Sequence, residues 1–284
     1  MSKFVAAVVQ MNSGTDVMKN VVSMETLVRD AKQQGANYVQ TPEMTGLVQQ
    51  DRDAFFQAVR DEESDLVVQA GSVLSKELGI TLHIGSTPIL VGEKMAANRA
   101  FVFDMDGQCR ARYDKIHMFD VDLDNGESWR ESAVYRPGKK GVILDVDGAK
   151  TGLAICYDCR FPELHTAYAR EGVEVLTGPS CFTRQTGQAH WHTLLRSRAI
   201  ETGAFMVAAA QGGDLEDGRS TYGHSLIVNP WGEVIAEVTG EAAGVALAEI
   251  NTEQVAAARA KIPNLVNNRP FTIEKVSKVV EHAA

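Results

Sequence analysis

A thiol, a carboxylate and an ammonium group stand in this sequence in settings that suit acyl chemistry. The segment Gly152-Leu-Ala-Ile-Cys-Tyr-Asp-Cys-Arg-Phe-Pro-Glu163 runs from an apolar strand through Cys156 into a turn, then into a helix opened by Pro162. A strand-to-helix turn exposes a side chain on a rigid support, with backbone N–H groups nearby for a developing oxyanion. A cysteine at a strand end is by default a small buried hydrophobe, so its company has to argue for more. To cleave an amide, a thiol needs a base and a donor for the tetrahedral oxyanion. Glu43 ends Gln40-Thr-Pro-Glu43, placing a carboxylate just past a short strand, and Lys115 follows a hairpin strand in Tyr113-Asp-Lys-Ile-His-Met-Phe-Asp120. Either one alone reads as an ordinary solvated charge. His117 and His165 are the rival bases, but His165 falls inside the expected helix after Cys156, and a lone histidine is more often a satisfied polar residue.

The elements that must position these groups alternate between strand and helix, with hairpins between them. Lys3 to Gln10 is an apolar run suited to a buried strand, and Asn20 to Gln34 has helical spacing stopped by Gly35. A short strand, Tyr38 to Gln40, leads to Pro42; helix-like stretches follow at Arg52 to Arg60 and Ser64 to Glu77. Strands are expected at Ile80 to Ser86 and Ala97 to Asp104, the latter turning at Asp106-Gly107 into Cys109 to Tyr113. The second half echoes this pattern. A hairpin joins Val142 to Val146 with Thr151 to Ile155, a helix covers Pro162 to Glu171, and Val173 to Leu176 forms a strand before a helix from Ala189 to Thr202. Strands follow at Phe205 to Ala210, Ser225 to Val228, Val234 to Val238 and Val245 to Ile250, then a helix near Thr252 to Lys261 and a polar tail. Several strands are almost continuously apolar, so both sheet faces must be covered, by helices on one side and another layer on the other. The expectation is a layered α/β sandwich in a single domain over residues 1–284, with a core at about 3–250 and a C-terminal helix and tail at 251–284, because no linker or low-complexity segment divides it.

The overall balance removes several function classes. With 37 acidic against 28 basic residues, the net charge of -9 repels phosphate backbones and anionic membranes, so nucleic acid and membrane surfaces are not expected as partners. No apolar run approaches the roughly 18 residues of a membrane span. The apolar stretch from Phe4 to Val9 is too short for a signal sequence. The four cysteines are therefore expected to be reduced thiols in a cytoplasmic protein.

Taken together, the loci around Glu43, Lys115 and Cys156 resemble the Glu-Lys-Cys set of the nitrilase superfamily, the carbon-nitrogen hydrolases. Pro179-Ser-Cys-Phe-Thr-Arg-Gln-Thr-Gly-Gln-Ala-His-Trp-His192 and Arg196-Ser-Arg-Ala-Ile-Glu201 resemble that family's pocket loop and the helix behind it. The likeness runs from the first strand to about Ile250. It implies an αββα sandwich, four-layer αββααββα on homodimerisation through its helical face, and an amidase without cofactor or metal. Glu43 would be the general base, Lys115 the stabiliser of the tetrahedral intermediate, Cys156 the nucleophile and the Tyr157 N–H an oxyanion donor. Glu131, in Trp129-Arg-Glu-Ser132, would support Lys115 or the substrate. The runs from Lys115, from Glu127 and at Tyr135-Arg-Pro-Gly138, with the Phe182 loop, resemble the Nit branch. Its deaminated glutathione amidases are the nearer match and its omega-amidases the next. The implied substrate is a small carboxylate-bearing amide, cleaved to acid and ammonia through a thioester, with a nitrile or another aliphatic amide as the alternative. Such a substrate calls for pocket cations, with Arg160 and Arg184 as candidates and Phe182, Thr183 and His190 as further contacts; Arg160 could equally pair with Asp158 or Glu163.

Three departures from the family pattern stand out. Cys159 replaces the usual aliphatic residue and creates Cys156-Tyr-Asp-Cys159, a spacing shared with thiol-disulfide redox proteins and metal sites. That spacing supplies the rival class, beside a catalytically silent scaffold, and a milder expectation of a reversible disulfide that switches the enzyme off. His192 stands where relatives carry an acid that could position Lys115 or cap pocket charge. His190 and His192, two apart on a helix, point to different faces, so no metal site is expected from them. The tail from Pro263 to Pro270 keeps one arginine of the run common in relatives.

Overall fold

The computed structural model describes residues 2–123, 126 and 128–276, so Glu127 and the last eight residues of the tail lie outside the described residues. The first half comprises β1 (Lys3–Gln10), α1 (Val17–Gln33), β2 (Tyr38–Gln40), α2 (Arg52–Ala58), α3 (Leu66–Leu78), β3 (Thr81–Gly92), β4 (Met95–Phe103), β5 (Cys109–Asp114), β6 (Asp120–Asp122) and β7 (Ser128–Arg130). The second comprises β8 (Val142–Val146), β9 (Ala149–Leu153), α4 (Pro162–Arg170), β10 (Val175–Thr177), α5 (Arg184–Thr202), β11 (Phe205–Ala208), β12 (Gly212–Asp214), β13 (Ser220–Tyr222), β14 (Leu226–Val228), β15 (Val234–Glu237), β16 (Gly244–Asn251), α6 (Glu253–Lys261) and α7 (Asn264–Asn267).

Two six-stranded sheets carry the architecture, in the orders β16-β1-β2-β3-β4-β5 and β15-β14-β11-β10-β9-β8. Each has three parallel strands in its middle, one antiparallel strand on one side and two on the other. The echo between the two halves of the sequence is therefore a repeated sheet. Successive side chains of a strand face opposite ways, and β1 divides accordingly. Phe4, Ala6 and Val8 pack between the sheets against Val175, Phe205 and Val207. Ala7 and Val9 face the other way, onto Met24 and Val28 of α1 and Leu74 of α3. The outer face of the second sheet, with Leu153, Leu176 and Met206, is covered by Tyr168 of α4 and by Trp191, Leu195 and Ala199 of α5. The layers are αββα, as the unbroken apolar strands require.

Where elements depart from sequence expectation, the cause is local. α1 begins at Val17 because Asp16 caps it, accepting from the N–H groups of Met18 and Lys19. α5 begins at Arg184, five residues early, behind a Thr183 cap. β3 runs on through Pro88 to Gly92. Its pairing with β2 ends at His83, after which the missing proline N–H costs no ladder bond on that side. The hairpins β6–β7 and β12–β13 have strands of three residues each, too short for an alternation to show.

One polar cluster crosses the apolar interior. Nδ1 of His83 on β3 lies 2.7 Å from the Tyr38 hydroxyl and 3.3 Å from Gln40 Nε2, while Gln40 Oε1 accepts from the Ala209 N–H of the second sheet at 2.8 Å. Burial pushes the His83 imidazole down to about 3. It stays neutral in the fold at pH values where the unfolded chain takes up a proton, so below its ordinary value near 6.5 acid favours unfolding. Stability should fall as pH drops from about 6.5 toward 3. In His83→Gln that dependence should lose about 1.4 kcal/mol per pH unit, the equivalent of one proton, measured by urea denaturation across the range.

Candidate active site

Four chain segments converge at the carboxyl ends of the central strands, where α/β sheets commonly place their sites. Glu43 follows β2 in the turn that brings Met44 into left-handed backbone at φ +58°. Its Oε1 accepts from Lys115 Nζ and Asn98 Nδ2, both at 2.9 Å, and its Oε2 accepts from the Cys181 N–H at 2.8 Å. Lys115 leaves the end of β5, pinned by its N–H to Asn98 O and by Gly138 N–H to its carbonyl. Nζ also donates to both oxygens of Glu131, at 3.0 and 2.9 Å. Glu131 is held in turn by Asn98 Nδ2 and by the Phe119 N–H. Burial pulls the Lys115 ammonium down, but Glu131 and then Glu43 more than offset it, and the net effect holds Lys115 well above its ordinary value. It is a permanent cation in a dry setting.

Cys156 stands on a strained turn, with φ at +48°, a conformation that non-glycine residues adopt only where surrounding structure imposes it. The imposing groups are visible. Cys156 N–H donates to Pro179 O at 2.9 Å, and the flanking Ile155 N–H donates to Asp158 Oδ2, also at 2.9 Å. Asp158 is fully buried and accepts four hydrogen bonds: from Ile155 N–H, the Tyr113 hydroxyl, and both the backbone N–H and Nδ1 of His117. One carboxylate thereby locks the thiol's turn to the strand end that carries Lys115. Burial, then the Glu43 charge, pushes the Cys156 thiol well up, with Lys115 acting against them. The resting thiol is protonated, and Glu43, the carboxylate that shares its cavity wall, is the neighbour able to take its proton.

These groups open into a cavity of about 460 Å³ whose wall includes Glu43, Lys115, Glu131, Cys156, Tyr157 and Arg160. Phe182 and Thr183 also line it. The Arg160 guanidinium lies over the rings of Phe182 and Tyr157, 5.3 and 5.9 Å from their centroids, with His190 Nδ1 at 3.3 Å. Neither expected ion pair of Arg160 forms, because Asp158 is already saturated, and Arg160 has no carboxylate partner among the described residues. Two expected contacts need correction. Arg184 points away from the cavity and pairs with Glu241 and Asp214, at 2.7 and 3.0 Å, at the foot of α5. His190 is exposed and meets Arg160 rather than the cavity. His117 stacks on Phe161 and is committed to Asp158, while His165 is buried against Phe161 O, so neither serves as a base for the thiol.

Two departures also resolve. Cys159 is packed in the core behind the turn, and the second thiol on the cavity wall is Cys181. His192 takes no part in placing Lys115, whose ammonium is matched by Glu43 and Glu131; its partner is Glu237. The residues that sequence reasoning missed are Asn98, Asp158 and the two small hairpins that bring Trp129 and Arg219 to the cavity. An asparagine within the apolar run of β4 was the available signal for Asn98, since asparagine is depleted in strands.

The carbon-nitrogen hydrolase family model matches residues 5–260, and the chain belongs to that family. It is 35% identical over 270 residues to a deaminated glutathione amidase of Synechocystis, covering 93% of this chain and 98% of the relative. It is 34% identical over 287 residues to the omega-amidase NIT2 of Danio rerio, covering 99% and 100%. Among solved structures, the NitFhit protein of C. elegans superposes with a TM-score of 0.87 at 32% identity, over 95% of this chain and 66% of that one. Nit3 of Saccharomyces cerevisiae, a member of branch 10 of the nitrilase superfamily, gives 0.82 at 30% identity, over 92% and 95%. The protein is an amidase, a hydrolase acting on carbon-nitrogen bonds.

Removing Asp158 strands a hydroxyl and buried N–H donors together. Asp158→Ala should cost about 3 kcal/mol of stability, read by urea denaturation, and should slow labelling of Cys156 by a thiol probe in the fraction that remains folded.

Proposed function

We propose that the protein hydrolyses a small amide bearing a carboxylate, either deaminated glutathione or the omega-amide of a 2-oxo acid. The observation that carries this reading is the Arg160 guanidinium, free of any carboxylate among the described residues, on the same cavity wall as Cys156, Glu43 and Lys115. A substrate carboxylate would supply the missing partner of Arg160, and the aromatic rings of Tyr157 and Phe182 orient that guanidinium. Relatives named for both substrates match most of the chain.

The reaction follows from the groups present. Glu43 takes the Cys156 proton as the sulfur bonds to the amide carbonyl carbon, and the carbonyl π electrons move to oxygen. Lys115 and the Tyr157 N–H donate to that oxyanion. As the carbonyl re-forms, the carbon-nitrogen bond breaks, and protonated Glu43 returns its proton to the departing nitrogen. Primary amides release ammonia, whereas deaminated glutathione, whose amide nitrogen is substituted, releases an amine. The thioester left on Cys156 is cleaved by water, which gives its proton to Glu43; the acid departs as the carbon-sulfur bond breaks and Cys156 regains its proton. Glu131 holds Lys115 in place and leaves Glu43 free to carry protons. A screen reading both ammonia and free amine, over deaminated glutathione, 2-oxoglutaramate, 2-oxosuccinamate, glutamine, asparagine, aliphatic amides and nitriles, should find turnover with a carboxylate-bearing amide. Turnover should vanish in Cys156→Ala without loss of fold, and Arg160→Met should raise KM at least tenfold. Preference for an uncharged amide or a nitrile, unchanged in Arg160→Met, would overturn the reading.

The homodimer implied by the family resemblance also has a face that suits it. Ile200 of α5 packs against Gly232 in the β14–β15 turn, beside Trp231 and Lys261 of α6. Ile200, Trp231, Ile262 and Val266 are each at least half exposed, an apolar cluster of the kind that marks association. The protein should sediment as a dimer, and the double variant Ile200→Asp/Trp231→Glu should sediment as a monomer with an unchanged circular dichroism spectrum.

A further inference from the structure

On the helical side of the second sheet, three side chains with metal-ligating atoms converge outside the catalytic cavity. His192 comes from α5, His224 from the residue pair before β14, and Glu237 from the end of β15. His192 Nε2 lies 3.1 Å and His224 Nδ1 2.7 Å from the same carboxylate oxygen, Glu237 Oε1. The three ligand atoms all fall within 4.8 Å of one another. We propose that this trio is a site for a borderline divalent transition metal, zinc or a chemical neighbour such as cobalt or nickel.

The chemistry and geometry both favour it. Two imidazoles and one carboxylate form a donor set that suits zinc, cobalt and nickel and that leaves calcium and magnesium poorly served. In a tetrahedral shell with bonds of about 2.0–2.1 Å, neighbouring ligand atoms stand roughly 3.3 Å apart. The two separations here are a few tenths of an ångström shorter, so an ion replacing the two N–H protons would need only slight outward movement. The ligands are also preset. His224 is held in left-handed backbone at φ +56°, its N–H donates to Gly240 O, its carbonyl accepts from Trp191 Nε1 at 2.8 Å, and its ring stacks on Tyr222 at 4.3 Å between centroids. Glu237 pairs with no lysine or arginine among the described residues, so its charge is available to a cation. The three side chains are between about a quarter and a third exposed, which leaves room for water in a fourth position. The ion would tie α5, the helix whose first turn borders the cavity, to the β14–β15 hairpin.

This site depends on His192, the residue that departs from the family pattern, and on partners 32 and 45 positions away in sequence, which spacing along one helix cannot reveal. The test is metal content by mass spectrometry of the full chain, stripped with a chelator and dialysed against zinc, together with cobalt titration followed by visible absorption. The thiols are a competing set of ligands, so Cys156→Ala is carried as a control. One zinc per chain is expected in wild type and in Cys156→Ala, with a zinc-dependent rise in thermal midpoint, and at least tenfold weaker binding in His192→Gln and in Glu237→Gln. Absence of stoichiometric zinc in wild type would overturn the proposal. So would binding that survives both His192→Gln and Glu237→Gln, or that disappears with Cys156; the trio would then be a hydrogen-bonded cluster and nothing more.

Discussion

An ammonium group taken out of water is costly unless its charge and all three of its N–H donors are matched. Lys115 meets that demand with two carboxylates, Glu43 and Glu131, and much of the surrounding structure follows from keeping them there. Asn98 donates to both, which fixes their separation; Phe119 N–H fixes Glu131, and Cys181 N–H fixes Glu43. With one cation between two anions and a thiol beside them, the cluster is short of positive charge by one. Burial first, and then that imbalance, keep the thiol protonated at rest, so the nucleophile is generated when substrate is in place rather than stored as a thiolate open to oxidation.

The same constraint explains why the nucleophile needs a strained turn. Cys156 and Lys115 come from different sheets, and the sulfur must reach across the end of the sandwich to meet the ammonium and its base. Asp158 makes that reach rigid, accepting from the turn of Cys156 on one side and from Tyr113 and His117, two residues either side of Lys115, on the other. Rigidity of this kind is what positioning chemistry requires.

Much of this was legible in the sequence. Apolar runs gave the strands, Gly35 marked the end of one helix and Pro162 the start of another, and the unbroken apolar run from Phe4 to Val9 forecast a sheet with two covered faces. Glu43, Lys115 and Cys156 stood out by residue type, and the likeness to a known family joined them into one site. What stayed hidden was set by contacts distant along the chain. Arg184 looks like a pocket cation until Glu241, 57 residues later, claims it. Asn98 looks like an interruption of a strand until Glu131 arrives 33 residues on. Hairpins of three-residue strands leave no periodicity to read, so Trp129 and Arg219 were not visible as cavity residues.

The order in which the sheets close has a consequence for how the chain is made. β1 lies between β2 and β16, and its whole length, from Lys3 to Gln10, pairs with Gly244 to Asn251. A ribosome releasing the chain from its N-terminus exposes the amino-terminal sheet with one side of β1 unpaired until Gly244 to Asn251 have emerged. Glu43 and Lys115 ride on that sheet, so their support is complete only once β16 has joined it. Pairings this distant are slow to form, and the open strand is a place for mispairing with neighbouring nascent chains. The docking of β16 on β1 is thus also the step at which a closed sheet is distinguished from one that needs a chaperone.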